Sequence, residues 1–146
     1  MQALVKTTLL TLGLCVTALM AQAQSCGLKD NGATMTDSVT GIEFQKCPVG
    51  QTWAGRECTG SAKMLLWGEA MQQYGQGHWR LITKVEAEQV GRRAAGGCAY
   101  GGTWTSSPVA GKTGFAWYFD FGNGIVYDWY EKNRLIVQLV RAKSGT

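Results

Sequence analysis

Hydrophobic and polar positions change their spacing along this chain, and each change predicts a different element. Thr34-Met35-Thr36-Asp37 and Ile42-Glu43-Phe44-Gln45 flank Ser38-Val39-Thr40-Gly41. Ile42 and Phe44 alternate with polar neighbours, which predicts a hairpin with one buried face. Gln24 to Ala33, before it, is polar and glycine-punctuated, so an irregular lead-in is expected there. After Ser61 the period becomes helical: Trp67, Ala70, Met71 and Tyr74 share one face of a helix that ends at Gly75. A second, shorter helix is signalled by Thr83-Lys84-Val85-Glu86, where the Thr83 hydroxyl can cap the first turn and Glu86 can reach back to the Thr83 amide. It should stop near Gly91. Arg92 to Gly102 holds Gly96-Gly97 and Gly101-Gly102 and reads as a loop.

The last third is β in character. Phe115 to Phe121 and Ile125 to Tyr130 are separated by Gly122-Asn123-Gly124. A two-residue turn at Asn123-Gly124 places Phe119 opposite Asp128. A three-residue loop instead pairs Phe121 with Ile125, Phe119 with Tyr127 and Trp117 with Trp129, which keeps one face apolar, so the sequence favours the longer loop. Tyr118, Asp120, Asp128 and Tyr130 are then expected on the opposite, wetter face. Arg134 to Arg141 is apolar on both faces apart from Gln138, the pattern of a central strand. No internal repeat is evident. Two short helices among hairpins predict an α+β fold with a mainly antiparallel sheet.

The N-terminus changes what should be counted. Lys6, the uncharged apolar run Thr7 to Met20 and the small residues of Ala21-Gln22-Ala23 form a signal peptide with cleavage expected before Gln24. The run falls short of the roughly 20 residues that span a bilayer. The expected organisation is a signal peptide over 1–23, a lead-in over 24–33, one domain over 34–142 and a tail over 143–146. The mature chain is expected in the periplasm or outside the cell, without membrane insertion. Cleavage removes Cys15 and leaves Cys26, Cys47, Cys58 and Cys98, which in an oxidising compartment read as two disulfides with three possible connectivities. Cys47 and Cys58 bracket a short turn-rich segment that closes easily, which favours Cys47–Cys58 with Cys26–Cys98. Zinc is the competing explanation, but there is no C-x-x-C pair and His78 is the one histidine.

Composition narrows the class further. The chain has 146 residues, 45% of them hydrophobic and 10% aromatic, which suits one folded domain and excludes low-complexity disorder. Its net charge of +4 comes without any run of like charge longer than Arg92-Arg93, which argues against nucleic acid as a partner.

The order of several short motifs is familiar. Thr36-Asp37-Ser38-Val39-Thr40-Gly41-Ile42-Glu43-Phe44, Trp67-Gly68-Glu69-Ala70, Gly77-His78-Trp79-Arg80-Leu81, Trp104-Thr105-Ser106-Ser107, Phe119-Asp120-Phe121-Gly122-Asn123-Gly124 and Val137-Gln138-Leu139-Val140-Arg141 succeed one another. In this order they resemble the Lcl C-terminal domain family, named for the terminal domain of a bacterial collagen-like adhesin. The chain departs from that pattern at Ile82, where a proline is usual, and at His78, where an acidic residue is usual. The resemblance implies a C-type-lectin-like fold related to that of sulfatase-modifying enzymes, in exported or surface-attached bacterial proteins. For the adhesin itself it implies binding of sulfated polysaccharides.

Candidate chemistry is sparse. His78 has no neighbouring nucleophile, and Ser106-Ser107 lacks the G-x-S-x-G setting of a serine nucleophile, so no catalytic residue is expected. Asp120, Asn123, Asp128 and Glu131 put oxygens around one hairpin, but not in the spacing of an EF-hand loop. A solvated hairpin face is the simpler expectation, with no metal and no cofactor. Trp67, Trp79, Trp104, Trp117 and Trp129 are expected as structural rings, with Arg80 hydrogen-bonding loop carbonyls. What remains is binding. Arg92, Arg93, Lys132, Arg134, Arg141 and Lys143 could meet sulfate or carboxylate, and Tyr118 and Tyr130 could stack on sugar rings. The expected function is that of an exported, non-enzymatic, adhesin-like module for an anionic polysaccharide or a surface protein. The alternatives are an enzyme related to the sulfatase modifiers or acting on cell-wall sugars, and a structural subunit of an envelope assembly.

Overall fold

A computed structural model describes residues 26–99 and 101–142. The expected signal peptide, its cleavage point and Lys143 lie outside the described residues. Eleven short strands and two helices follow one another: β1 (Lys29–Asp30), β2 (Thr34–Thr36), β3 (Glu43–Gln45), β4 (Gln51–Trp53), β5 (Cys58–Gly60), β6 (Met64–Leu65), α1 (Trp67–Tyr74), α2 (Lys84–Val90), β7 (Gly102–Pro108), β8 (Phe115–Asp120), β9 (Ile125–Tyr130), β10 (Leu135–Ile136) and β11 (Val140–Arg141). They build an α+β fold of two main sheets. One has the order β1-β2-β3-β11, the other β6-β10-β7-β8-β9, and β4 pairs with β5 as a separate hairpin. Every pairing is antiparallel except that of β10 with β7. Two disulfides, Cys26–Cys98 and Cys47–Cys58, staple the chain. Among the described residues no helix is long and apolar enough to cross a membrane.

The first hairpin forms with Met35 opposite Phe44, and both side chains are buried. Helix α1 ends at Gly75 and buries Ala70, with Trp67, Met71 and Tyr74 packed against a cluster built around Trp104, Leu81 and Val137. Helix α2 is capped as its sequence requires: the Glu86 amide donates to Thr83 Oγ1 at 3.1 Å, and the Thr83 amide donates to Glu86 Oε2 at 2.9 Å. It packs over β7, β8 and β9. Its inner face joins Phe44, Phe119, Phe121 and Val140 in a second cluster between the sheets.

Four expectations need correction. The lead-in is not wholly irregular, because Lys29–Asp30 pairs with β2. The segment after Gly91 begins with a turn of 3-10 helix over Gly91–Ala94 rather than open loop. Arg134 to Arg141 is not one strand. Leu135–Ile136 belongs to the second sheet and Val140–Arg141 to the first, so residues 137–139 carry the chain between layers. That passage is buried on all sides, which explains an apolar run without strand continuity.

The fourth correction is the β8–β9 register. Asp120 pairs with Ile125, Phe119 with Val126, Tyr118 with Tyr127, Trp117 with Asp128 and Ala116 with Trp129. The connection is therefore four residues, Phe121 to Gly124. Phe121 leaves the strand to enter the core, with ring centroids 5.0 Å from Phe119 and 6.3 Å from Phe44. Burial of that ring outweighs an unbroken apolar ladder. The turn closes on Asp120 and Asn123, whose carboxylate and amide oxygens accept from the Gly122 and Ile125 amides at 2.7 and 2.9 Å. As a result Asp128 and Tyr130 share a face with Trp117 and Phe119, while Ile125, Tyr127 and Trp129 turn to the other face beside Tyr118.

Candidate functional site

The shifted register exposes an aromatic row. Strand β9 is the edge of its sheet, and on it Ile125 is 42%, Tyr127 38%, Trp129 44% and Tyr130 48% exposed. Ile125, Tyr127 and Trp129 share one face of the strand, and Tyr130 is exposed on the other. Tyr118 supports the row from β8, its ring 5.8 Å from Tyr127 in stacked geometry and 6.3 Å from Trp129 edge-on. Tyr130 leans on Phe115 at 4.3 Å. Burial, then the nearby Asp120 and Tyr127, raise the Tyr118 pKa above the usual phenol value, so its hydroxyl stays protonated.

Four of the eight residues favoured for ligand binding gather at this hairpin. Tyr118 packs beside Tyr127 and Trp129, and Tyr130 stands at the end of β9 on the other face. Gly124, with φ +72°, sits so close to the Arg92 backbone that a Cβ would fall 2.6 Å from the Arg92 Cα, which places Arg92 beside the start of β9. Lys132 follows the other end of the strand, its Nζ 5.4 Å from the Tyr130 ring centroid. The six residues of β9 span about 20 Å between these cations.

Arg93, Arg134 and Arg141 have partners within the molecule. Arg93 grips the buried Asp37 through Nε at 2.7 Å and Nη2 at 3.0 Å, and also donates to the Gln89 carbonyl. Burial pushes the Asp37 pKa up, but hydrogen bonds from Arg93 and Thr40 outweigh it and hold the carboxyl at about 2. Arg134 pairs with Glu69 at 3.0 Å. Arg141 pairs with Glu43 at 2.7 Å, covers the Trp79 ring at 4.5 Å and contacts His78 at 2.9 Å. Arg80 donates to the Leu81 carbonyl, as expected of its fork, and also to both oxygens of Glu86. Among the other tryptophans, Trp104 is fully buried, Trp67 donates to the Thr105 carbonyl and Trp117 lies 4.8 Å from the Lys84 Nζ. Of the oxygens considered for calcium, those of Asp128 are paired with Lys112, and those of Asp120 and Asn123 close the turn. No group of three or more acidic, histidine or cysteine side chains among the described residues could hold a metal.

Ile125, Tyr127 and Trp129 were not among the candidate ligand contacts, and Trp129 was expected to pair with Trp117. The signal for them is that Ile125 to Tyr130 is apolar or aromatic on both faces apart from Asp128, more than one core face can cover. No family model, curated protein or solved structure matches the chain.

Proposed function

We propose that the protein is an exported, non-enzymatic binding module that recognises an anionic polysaccharide along strand β9. The observation that carries this reading is the exposed aromatic row on an edge strand, with Arg92 beside one end and Lys132 beside the other. Aromatic faces stack on the C–H faces of sugar rings, and cations at both ends suit a polymer that carries sulfate or carboxylate along its length. The resemblance to an adhesin domain points the same way, and the overall positive charge favours an anionic partner. Retention on a heparin column at physiological salt tests the proposal. The wild type is expected to be retained, and replacing Arg92 and Lys132 together by alanine should lower the eluting salt concentration. Equal elution of both proteins counts against it.

A further inference from the structure

A cleft of about 950 Å³ opens on another part of the fold, between the Asp30, Met35 and Lys46 end of the first sheet, the β4–β5 hairpin and the Gly97–Ala99 segment. Cys58 of one disulfide and Cys26 and Cys98 of the other line it, so covalent bridges help to fix its shape. Its volume suits a small-molecule ligand. None of its lining residues belongs to the β9 face.

Gln138 lines this cleft although it is only 1% exposed. Its Nε2 donates to the Gln45 carbonyl, while its Oε1 has no hydrogen-bond partner. A buried acceptor left unmatched costs about 1–3 kcal/mol, so a ligand N–H or O–H brought to it is favoured. The oxygen is closed to solvent, so a ligand donor that meets it requires neighbouring side chains to move.

The rest of the lining limits what that ligand is. Trp53 presents an indole, with the Lys46 Nζ 4.4 Å from the ring centroid. Lys46 is itself paired with Asp30 at 2.8 Å. Arg56 and Glu57 add one charge of each sign at the β4–β5 turn, so cations and anions balance and the cleft has no net preference for an ion.

We propose that this cleft binds a neutral saccharide of one or two rings. A sugar hydroxyl donates and accepts at once, so it can satisfy Gln138 Oε1, use the Glu57 carboxylate as an acceptor and use the Arg56 guanidinium as a donor. The C–H face of the ring packs on Trp53. A sulfated or carboxylated sugar meets Asp30 and Glu57 as well as the cations, and loses the advantage it has at β9. The proposal does not depend on polysaccharide binding at β9.

The test is a two-dimensional NMR titration of the mature, oxidised protein with cellobiose, lactose and N,N′-diacetylchitobiose, and with glucuronic acid as the charged control. At least one neutral disaccharide should shift the Trp53 indole N–H. Its dissociation constant should rise about tenfold or more in Trp53→Ala and in Gln138→Leu. It should be unchanged in the Tyr127→Ala/Trp129→Ala double variant. Trp53 stands on a surface hairpin, so its variant reads binding even if the buried Gln138 change disturbs folding. The proposal is overturned if none of the disaccharides moves the Trp53 indole, if glucuronic acid binds there more tightly, or if the shifts fall on Tyr127 and Trp129.

Discussion

Asp37 is the residue on which the loop geometry depends most visibly. Its carboxylate is fully buried, accepts from the Thr40 amide and hydroxyl, and is held by both Nε and Nη2 of Arg93, 56 residues away in sequence. Removing one partner of a buried pair strands the other charge, so Arg93→Ala should cost about 3 kcal/mol at neutral pH in urea denaturation. The pair also sets an acid dependence. The folded carboxyl titrates at about 2 against an ordinary value of 3.8, so it stabilises the fold above pH 4. That contribution, about 2 kcal/mol, is lost as the pH falls from about 4 to about 2. In Arg93→Ala burial raises the Asp37 pKa without the arginine to offset it, and the acid sensitivity should shrink. The motif around Asp37 was visible in the sequence, but its partner was not. Arg93 was expected at a ligand because nothing local distinguishes an arginine that pairs inward from one that faces solvent.

At the scale of elements, the parts that were legible are those set by local chemistry. The Thr83 and Glu86 capping box fixes the start of α2, and Thr83→Ala should lower stability by about 1 kcal/mol in thermal or urea unfolding. The face of α1 followed from the spacing of Trp67, Ala70, Met71 and Tyr74, since helical period and burial act within a few residues. The β8–β9 register did not follow, because it is decided at a distance: Phe121 packs against Phe44 from the first hairpin. One residue of slip moved Tyr127 and Trp129 to the exposed face. The split of Arg134 to Arg141 has the same origin. Val137 and Leu139 carbonyls accept from the Val49 and Gln45 amides, partners that no local pattern reveals.

For the whole molecule, covalent and non-covalent closure act together. Cys26–Cys98 closes a sequence separation of 72 residues and Cys47–Cys58 one of 11. In the chain-entropy account the first contributes about 4 kcal/mol and the second about 3 kcal/mol. Replacing both cysteines of a pair by serine should therefore lower the denaturation midpoint more for Cys26–Cys98 than for Cys47–Cys58. The short bridge was readable from spacing. The cleft beside them was not, although Trp53 had been left without a place among the structural rings while the other five tryptophans had one. The central claim concerns the β9 surface, where cations and tyrosines expected at a ligand converge on a row of rings the sequence had assigned inward. Isothermal titration of the protein with a heparin-derived oligosaccharide measures that claim directly. Tyr127→Ala/Trp129→Ala, altering side chains that are more than a third exposed, should weaken binding about tenfold or more while leaving the unfolding midpoint nearly unchanged. Wild-type affinity in that double variant, or no measurable binding by the wild type, contradicts it.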